Sequence, residues 1–378
     1  MFIELHLLQN FAPSNLNRDD TGTPKDCIFG GVRRARISSQ CLKRAMRETP
    51  IFAQTTQIKN SERTKQLVQE KLKKGLPAGE ASSAEADAIL AKLVETLYSK
   101  MDSKDKNKTA VLLYISQQEV ASICDALVNN WSVLTDSKQR DGVIAQLVKE
   151  LIKQFKDRTS APDIALFGRM LAEHPELNID AACQVAHALS THRISMEMDF
   201  YTAVDDLSQD DTSGAGMMGF TGYDSACFYR YARLDAGQLH KNLDKADDVT
   251  QRTVEGFLRA TIEAVPTGKQ NSFAAHNPPS LILAVVRNGG MGWSLANAFE
   301  RPISVDRSGG YVAASARSLD EYWQRLCTVY GESTVANIAV LSLDADLPLT
   351  NLNAKKVNNL DVLIAGVLNT LAGKGGSA

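Results

Sequence analysis

Long apolar runs are missing from this chain. No stretch approaches eighteen uninterrupted apolar residues, so no membrane-spanning helix is expected. The six cysteines (Cys27, Cys41, Cys124, Cys183, Cys227 and Cys327) are scattered and form no CxxC pair, which argues against a disulfide framework or a structural zinc site. The opening Met1-Phe2-Ile3-Glu4-Leu5-His6 has neither a basic n-region nor a long apolar core, so no secretory leader is expected. An excess of one charge is lacking too: 42 Lys+Arg against 44 Asp+Glu leave −2 over 378 residues. With 44% hydrophobic and 23% charged residues, wholesale disorder is excluded, and the length suits about two domains or one with large insertions. Together these absences describe a reduced, soluble, cytoplasmic protein.

The near-neutral total hides a local imbalance. Between positions 18 and 47 stand Arg18, Lys25, Arg33, Arg34, Arg36, Lys43, Arg44 and Arg47, opposed only by Asp19, Asp20 and Asp26. That segment carries +5, so the remainder carries −7. A basic segment in an acidic body points to a localised anionic partner.

Residues 2–8 alternate imperfectly and predict a strand, and 32–37 a short one. Ser38 or Ser39 then caps a helix to about Arg47, with Cys41, Leu42, Ala45 and Met46 on one face and Lys43, Arg44 and Arg47 outside that stripe. The segment 60–192 is predicted mostly helical, with one strand at 111–116. Within it Ser82 with Glu85 and Ser116 with Glu119 have the spacing of capping boxes, and helices are expected over 164–172 and 179–191. Further on, 198–204 and 225–234 read as strands of a β-hairpin arm with a Gly-rich tip at 208–222. Helix 248–264, strand 281–287, helix 319–330, strand 337–343, a final helix near 356–372 and a disordered tail from 373 complete a split α+β core.

Motifs for catalysis are weak. Gly214-Ala-Gly216-Met-Met-Gly219 matches GxGxxG but follows a polar loop and opens no helix, so a hairpin tip accounts for it better than a nucleotide site. His187 and His192 do not share a helical face, and no nearby Cys or carboxylate completes a metal set. Adjacent carboxylates (Asp19-Asp20, Asp205-Asp206, Asp210-Asp211) suit solvated turns more than two-metal chemistry. The basic segment is more specific: a helix start with Ser38, Ser39 and Gln40, flanked by Arg forks, suits phosphate oxygens. A solvated positive helix face is the plain alternative.

Several blocks carry a family resemblance. Asn17-Arg-Asp-Asp-Thr-Gly-Thr-Pro-Lys-Asp26 and Ile28-Phe-Gly-Gly-Val-Arg-Arg-Ala-Arg-Ile-Ser-Ser-Gln-Cys-Leu-Lys-Arg-Ala-Met-Arg47 are the longest. Asp163-Ile-Ala-Leu-Phe-Gly-Arg-Met170, Ala186-His-Ala-Leu-Ser-Thr-His192, Phe200-Tyr-Thr-Ala-Val-Asp-Asp206, Phe228-Tyr-Arg-Tyr-Ala232, Gly268-Lys-Gln-Asn-Ser-Phe-Ala-Ala275, His276-Asn-Pro278 and Ser294-Leu-Ala-Asn-Ala-Phe-Glu300 follow in order. The chain resembles the backbone subunit of type I-E CRISPR Cascade, the CasC-type member of the RAMP superfamily. It departs from that pattern most at 50–160 and after 300.

The resemblance implies a hand: an RRM-related (ferredoxin-like) palm in two parts (1–55 and 225–378), helical fingers (56–194) and a β-hairpin thumb (195–224). Copies would polymerise along a CRISPR RNA and present it to target DNA. Their partners would be a large subunit, a small subunit, a foot subunit at the 5′ end and a guide-processing endonuclease at the 3′ hairpin. No cofactor, metal or membrane is implied. The residues that match family RNA contacts are Arg18, Lys25, Ser38, Gln40, Lys43, Arg44 and Arg47 in the palm, Arg169 and Met170 on the finger side, Phe200, Tyr201 and Val204 in the thumb, and Lys269, Gln270 and Asn271 in a later loop. Core packing is the competing account of Met170 and Val204. The rival class is a RAMP endoribonuclease cutting RNA with a loop Asp, for which Asp26, or Asp19 and Asp20, occupy a comparable stretch.

Overall fold

The first strand explains its own imperfect alternation. In the computed structural model, which describes residues 1–77, 79–80, 83–203, 217–305 and 309–373, β1 (Phe2–Ser14) is covered on both faces from Ile3 to Gln9. A strand buried on both sides has no polar face to show. Its polar members are therefore paired inside the protein. Glu4 accepts from Arg287 Nε at 2.7 Å and from the Trp293 backbone N–H at 2.8 Å, and Gln9 donates to the Asn277 carbonyl at 2.6 Å.

In chain order the other strands are β2 (Asp26–Phe29), β3 (Val32–Ile37), β4 (Glu62–Thr64), β5 (Leu113–Ile115), β6 (Cys183–Val185), β7 (Ala188–Ser190), β8 (Glu197–Ala203), β9 (Met217–Asp235), β10 (Leu281–Arg287) and β11 (Val335–Ser342). The helices are α1 (Ser39–Glu48), α2 (Pro50–Thr56), α3 (Ala84–Leu97), α4 (Gln117–Leu134), α5 (Arg140–Phe155), α6 (Pro162–Phe167), α7 (Ala236–Asn242), α8 (Asp247–Glu263), α9 (Gln270–Phe273), α10 (Val312–Tyr330) and α11 (Leu360–Leu371). None of the described helices is long and apolar enough to cross a membrane. The class is α+β, with the sheet antiparallel at the pairs β1–β10, β10–β11, β2–β3, β3–β7, β7–β9 and β8–β9.

The chain divides into two units. Unit 1 comprises Met1–Phe52, Gln184–Leu234 and Phe257–Ala378 and is built on a sheet of order β11-β10-β1-β9-β7-β3-β2, with β6 and β8 also paired to β9. Its core stacks Leu281, Leu283 and Val285 of β10 against Leu319 and Trp323 of α10 and the Trp293 loop. Unit 2 comprises Ala53–Cys183 and Asp235–Gly256. Its helices α3, α4 and α5 bury Ile89, Leu93, Ile123, Leu127, Ile144, Leu147 and Leu151 in one core. At the start of α4, Ser116 and Glu119 form the expected capping box, which satisfies two orphan N–H groups reciprocally.

Several expectations differ, among them a further strand, β4, within 60–192 and a start of α10 at Val312 rather than 319. The cap of α3 is Ser83, whose hydroxyl accepts from the Ala86 N–H at 3.0 Å, while Ser82 lies outside the described residues. The helix expected over 164–172 stops at Phe167 because Gly168 turns to φ 77°. The segment 179–191 is no helix: β6 and β7 form there, with Leu189 opposite both Arg36 and Tyr229. Finally, β9 begins at Met217, inside the stretch expected to be a loop. Val204, Gly214 and Gly216 lie outside the described residues, as does the tail beyond Gly373.

Candidate nucleic-acid interface

Unit 1 sorts the basic segment into interior and surface. Arg34 is fully buried, its guanidinium donating to the carbonyls of Phe29, Ser190, Phe299 and Glu300 at 2.7–3.2 Å. Arg36 donates to the Asp26 carbonyl at 3.2 Å and bonds His187 Nδ1 at 3.0 Å. Burial, with Arg36 and Lys25 close by, holds the His187 imidazole below its usual pKa, which suits it to accept that bond. Arg33 pairs with Asp26 at 2.9 Å. The arginines of β3 thus stitch the sheet together.

The remaining cations gather around α1. Ser38 caps this helix, its hydroxyl accepting from the Cys41 N–H at 3.3 Å, and its own N–H donates to Asn17 Oδ1 at 2.8 Å. Leu42, Ala45 and Met46 point inward, which leaves Gln40 and Arg44 exposed and Lys43 and Arg47 half-buried. The loop 15–25 folds beside this face, carrying exposed Arg18 and half-buried Lys25. Among the described residues no carboxylate pairs with Arg18, Lys25 or Lys43. Arg44 and Arg47, by contrast, both reach Glu48.

Asp19 organises that loop. Its carboxylate accepts from the backbone N–H and hydroxyl of both Thr21 and Thr23 at 2.7–3.1 Å, and these bonds hold its pKa down to about 2. A carboxylate so fully engaged is a turn-former. A second loop comes to the same place. Gly268 lies so close to the Asn15 and Leu16 carbonyls that any Cβ would collide with them. Next to it Lys269 takes a left-handed conformation (φ 50°) and α9 follows. Gln270 is tied to its own loop through the carbonyls of Pro266 and Ala275, while Asn271 is exposed. Between the two loops and α1 opens a cavity of about 510 Å³, walled by Arg18, Asp20, Arg44, Glu48 and Gly268 among others.

The hairpin β8–β9 rises from this surface. Asn15 donates to the carbonyls of Gly22 (3.0 Å) and Gly222 (2.8 Å), joining loop to hairpin, and the Tyr223 ring lies 5.8 Å from that of Phe273. Phe200 stands opposite Phe220, with ring centroids 5.2 Å apart, and Tyr201 opposite Gly219. Opposed residues share a face, so Phe200 and Tyr201 look in opposite directions. One face presents Met198, Phe200, Met218 and Phe220, all exposed. On the other, Tyr201 lies over Gly219, where any Cβ would run into its ring. The sequence-level reading missed Met218 and Phe220. Their alternation through 218–220 was the available signal, obscured by the surrounding glycines.

In unit 2 the expected pair Arg169 and Met170 separates. Arg169 is buried and donates to Glu119 Oε1 at 2.6 Å and to the Leu177 and Tyr114 carbonyls. That guanidinium is turned to acceptors in the interior of unit 2. Met170, 86% exposed, is not core. Among the described residues no three His, Cys, Asp or Glu lie close enough together to hold a metal ion.

Fold and surface define an α+β protein with a cationic helix face and an apolar hairpin in one unit. The model of the CT1975-like protein family matches residues 3–365, and the chain belongs to that family. It is similar over 99% of its length, at 28% identity and a TM-score of 0.82, to the whole of a chain solved in a "CRISPR RNA-guided surveillance complex, pre-nicking". A chain of a second "CRISPR RNA-guided surveillance complex" matches 98% of it at 25% identity and a TM-score of 0.63, again over that chain's full length. No curated protein matches.

Proposed function

We propose that this protein is a CRISPR RNA-binding backbone subunit of a Cascade-type surveillance complex, of type I-E, which presents the guide for pairing with target DNA. The observation that carries the proposal is the meeting, within unit 1, of Arg18, Lys25 and Lys43, which pair with no carboxylate among the described residues, with an apolar Met/Phe hairpin face. Cations neutralise the strand's phosphates, and aromatic faces stack on bases of any sequence. Family membership and the full-length likeness to chains of RNA-guided complexes support it.

On this proposal unit 1 is the RRM-related palm, the helical part of unit 2 the fingers and β8–β9 the thumb. Backbone contacts come from Arg18, Lys25, Ser38, Gln40, Lys43, Arg44 and Arg47, with Lys269 and Asn271 beside them. Phe200, Met218 and Phe220 form the stacking face, and Met170 is the finger-side contact. The partners are the guide RNA, further copies of the chain and the other Cascade subunits, in the cytoplasm.

The role is structural rather than catalytic. Asp19 is engaged by Thr21 and Thr23 and Asp26 by Arg33, so two of the three loop carboxylates are committed to structural bonds, and metal-dependent RNA cleavage abolished by Asp20→Ala would overturn the structural role. The proposal is tested by Lys43→Ala with Arg47→Ala. Affinity for single-stranded RNA should fall equally for unrelated sequences, and the slope of log K against log salt should flatten by about 0.7 per lost phosphate contact. Unchanged affinity and slope would overturn it.

A further inference from the structure

Glu48 is the last residue of α1, a place where the helix dipole disfavours a carboxylate. It is nevertheless held there by two arginines. Arg44 Nε donates to both carboxylate oxygens at 3.0 Å, and Arg47 Nη2 donates to Oε1 at 3.3 Å. A carboxylate and a phosphate offer these forks the same kind of oxygen acceptor. Glu48 also lies on the wall of the 510 Å³ cavity with Arg18 and Arg44, where Asp19 and Asp20 add further negative charge. With three carboxylates against two guanidinium groups, that wall is acidic overall when no RNA is bound.

We propose that Glu48 is an internal competitor for RNA phosphate. It occupies Arg44 and Arg47 in the free protein and must be displaced when a strand binds. This rests on the RNA-binding proposal above and adds to it a specificity element. A single phosphate or free nucleotide gains too little to dislodge the carboxylate. A strand that also reaches Lys43, Lys25 and Arg18 recovers the loss from those contacts. Glu48 thereby lowers affinity for stray anions while leaving a multiply anchored strand bound.

The test uses the full chain, Glu48→Gln, Lys43→Ala/Arg47→Ala and a fluorescent single-stranded oligouridylate, titrated at several salt concentrations. Removing the competing charge should tighten Glu48→Gln binding about two- to fivefold, the size of an exposed ion pair. Its salt slope should steepen by up to about 0.7, because no displaced Glu48 carboxylate then takes up a cation against those the strand releases. Equal affinity and slope would reduce Glu48 to an ordinary surface ion pair. Weaker binding would make it a positioning residue for the arginines, and either result overturns the competitor role. The Lys43→Ala/Arg47→Ala arm separates the two proposals. If it leaves affinity unchanged, RNA binding at α1 fails and the competitor role fails with it. If it weakens binding while Glu48→Gln changes nothing, the competitor role alone fails.

Discussion

From the sequence, Arg34 and Arg169 are expected at the surface, Arg34 in a run of basic residues and Arg169 as a finger-side RNA contact within the helix expected over 164–172. Both are interior. The reason is the guanidinium itself, whose five N–H donors satisfy several converging carbonyls at once. Arg169 carries the larger consequence, because its partner Glu119 is also buried. Removing one member leaves an uncompensated charge in a low-dielectric site. Arg169→Ala should therefore destabilise the protein by about 3–5 kcal/mol in chemical denaturation. Met170→Ala, at an exposed neighbour, should stay within about 0.5 kcal/mol of wild type. A small loss for Arg169→Ala would return that residue to the list of RNA contacts.

Individual elements formed where local signals were strong and failed where a neighbouring strand outbid them. The caps of α1 and α4 needed only their own residues. The stretch 179–191 has helical apolar spacing, but β9 supplies a ladder partner, so Leu189 and Ser190 pair with Tyr229 and Phe228. The same long β9 carries Asp224, a buried carboxyl. Burial, with Asp26 nearby, pushes its carboxyl up to about 7. In the unfolded chain it titrates near 4, so the folded state holds an extra proton between these values. Asp224 therefore contributes full stability below pH 4 and loses it as pH rises to about 7. Asp224→Asn should remove that slope, gaining roughly 1–3 kcal/mol over wild type at pH 7.5 but little at pH 4.5. Parallel pH profiles for the two proteins, from denaturation midpoints, would count against it.

For the molecule as a whole, a hairpin whose Met/Phe face is solvent-exposed in the isolated chain needs something to cover it. In the proposed assembly that cover is RNA together with the next copy. Native mass measurement on the chain with RNAs of increasing length should then show protein added in steps of 41.2 kDa. Phe200→Ala with Phe220→Ala should reduce the copies held per strand and leave the free chain's melting temperature unchanged, since both rings are half or more exposed. A drop in melting temperature would mark them as packing residues. A single copy bound at every RNA length would exclude the filament.

The amino-acid sequence by itself determined the elements whose causes are local. These are the helix capped at Ser38 or Ser39 with its split faces, the Ser116–Glu119 box, the apolar run 281–286 of β10 and the cationic segment that announces an anionic partner. Capping, periodicity and composition act within a few residues, so they can be read from neighbours in the chain. Tertiary structure alone decided which cations are available. Arg34 is consumed by the carbonyls of Phe299 and Glu300, more than 260 residues away, and Arg36 by His187, 151 residues away. It also set the hairpin register that turns Phe200 toward Phe220 and Tyr201 onto Gly219, because a period of two makes the face of every side chain depend on pairing. Charge, by contrast, is a property of composition, whereas its accessibility depends on which distant backbone groups the fold brings within hydrogen-bond reach.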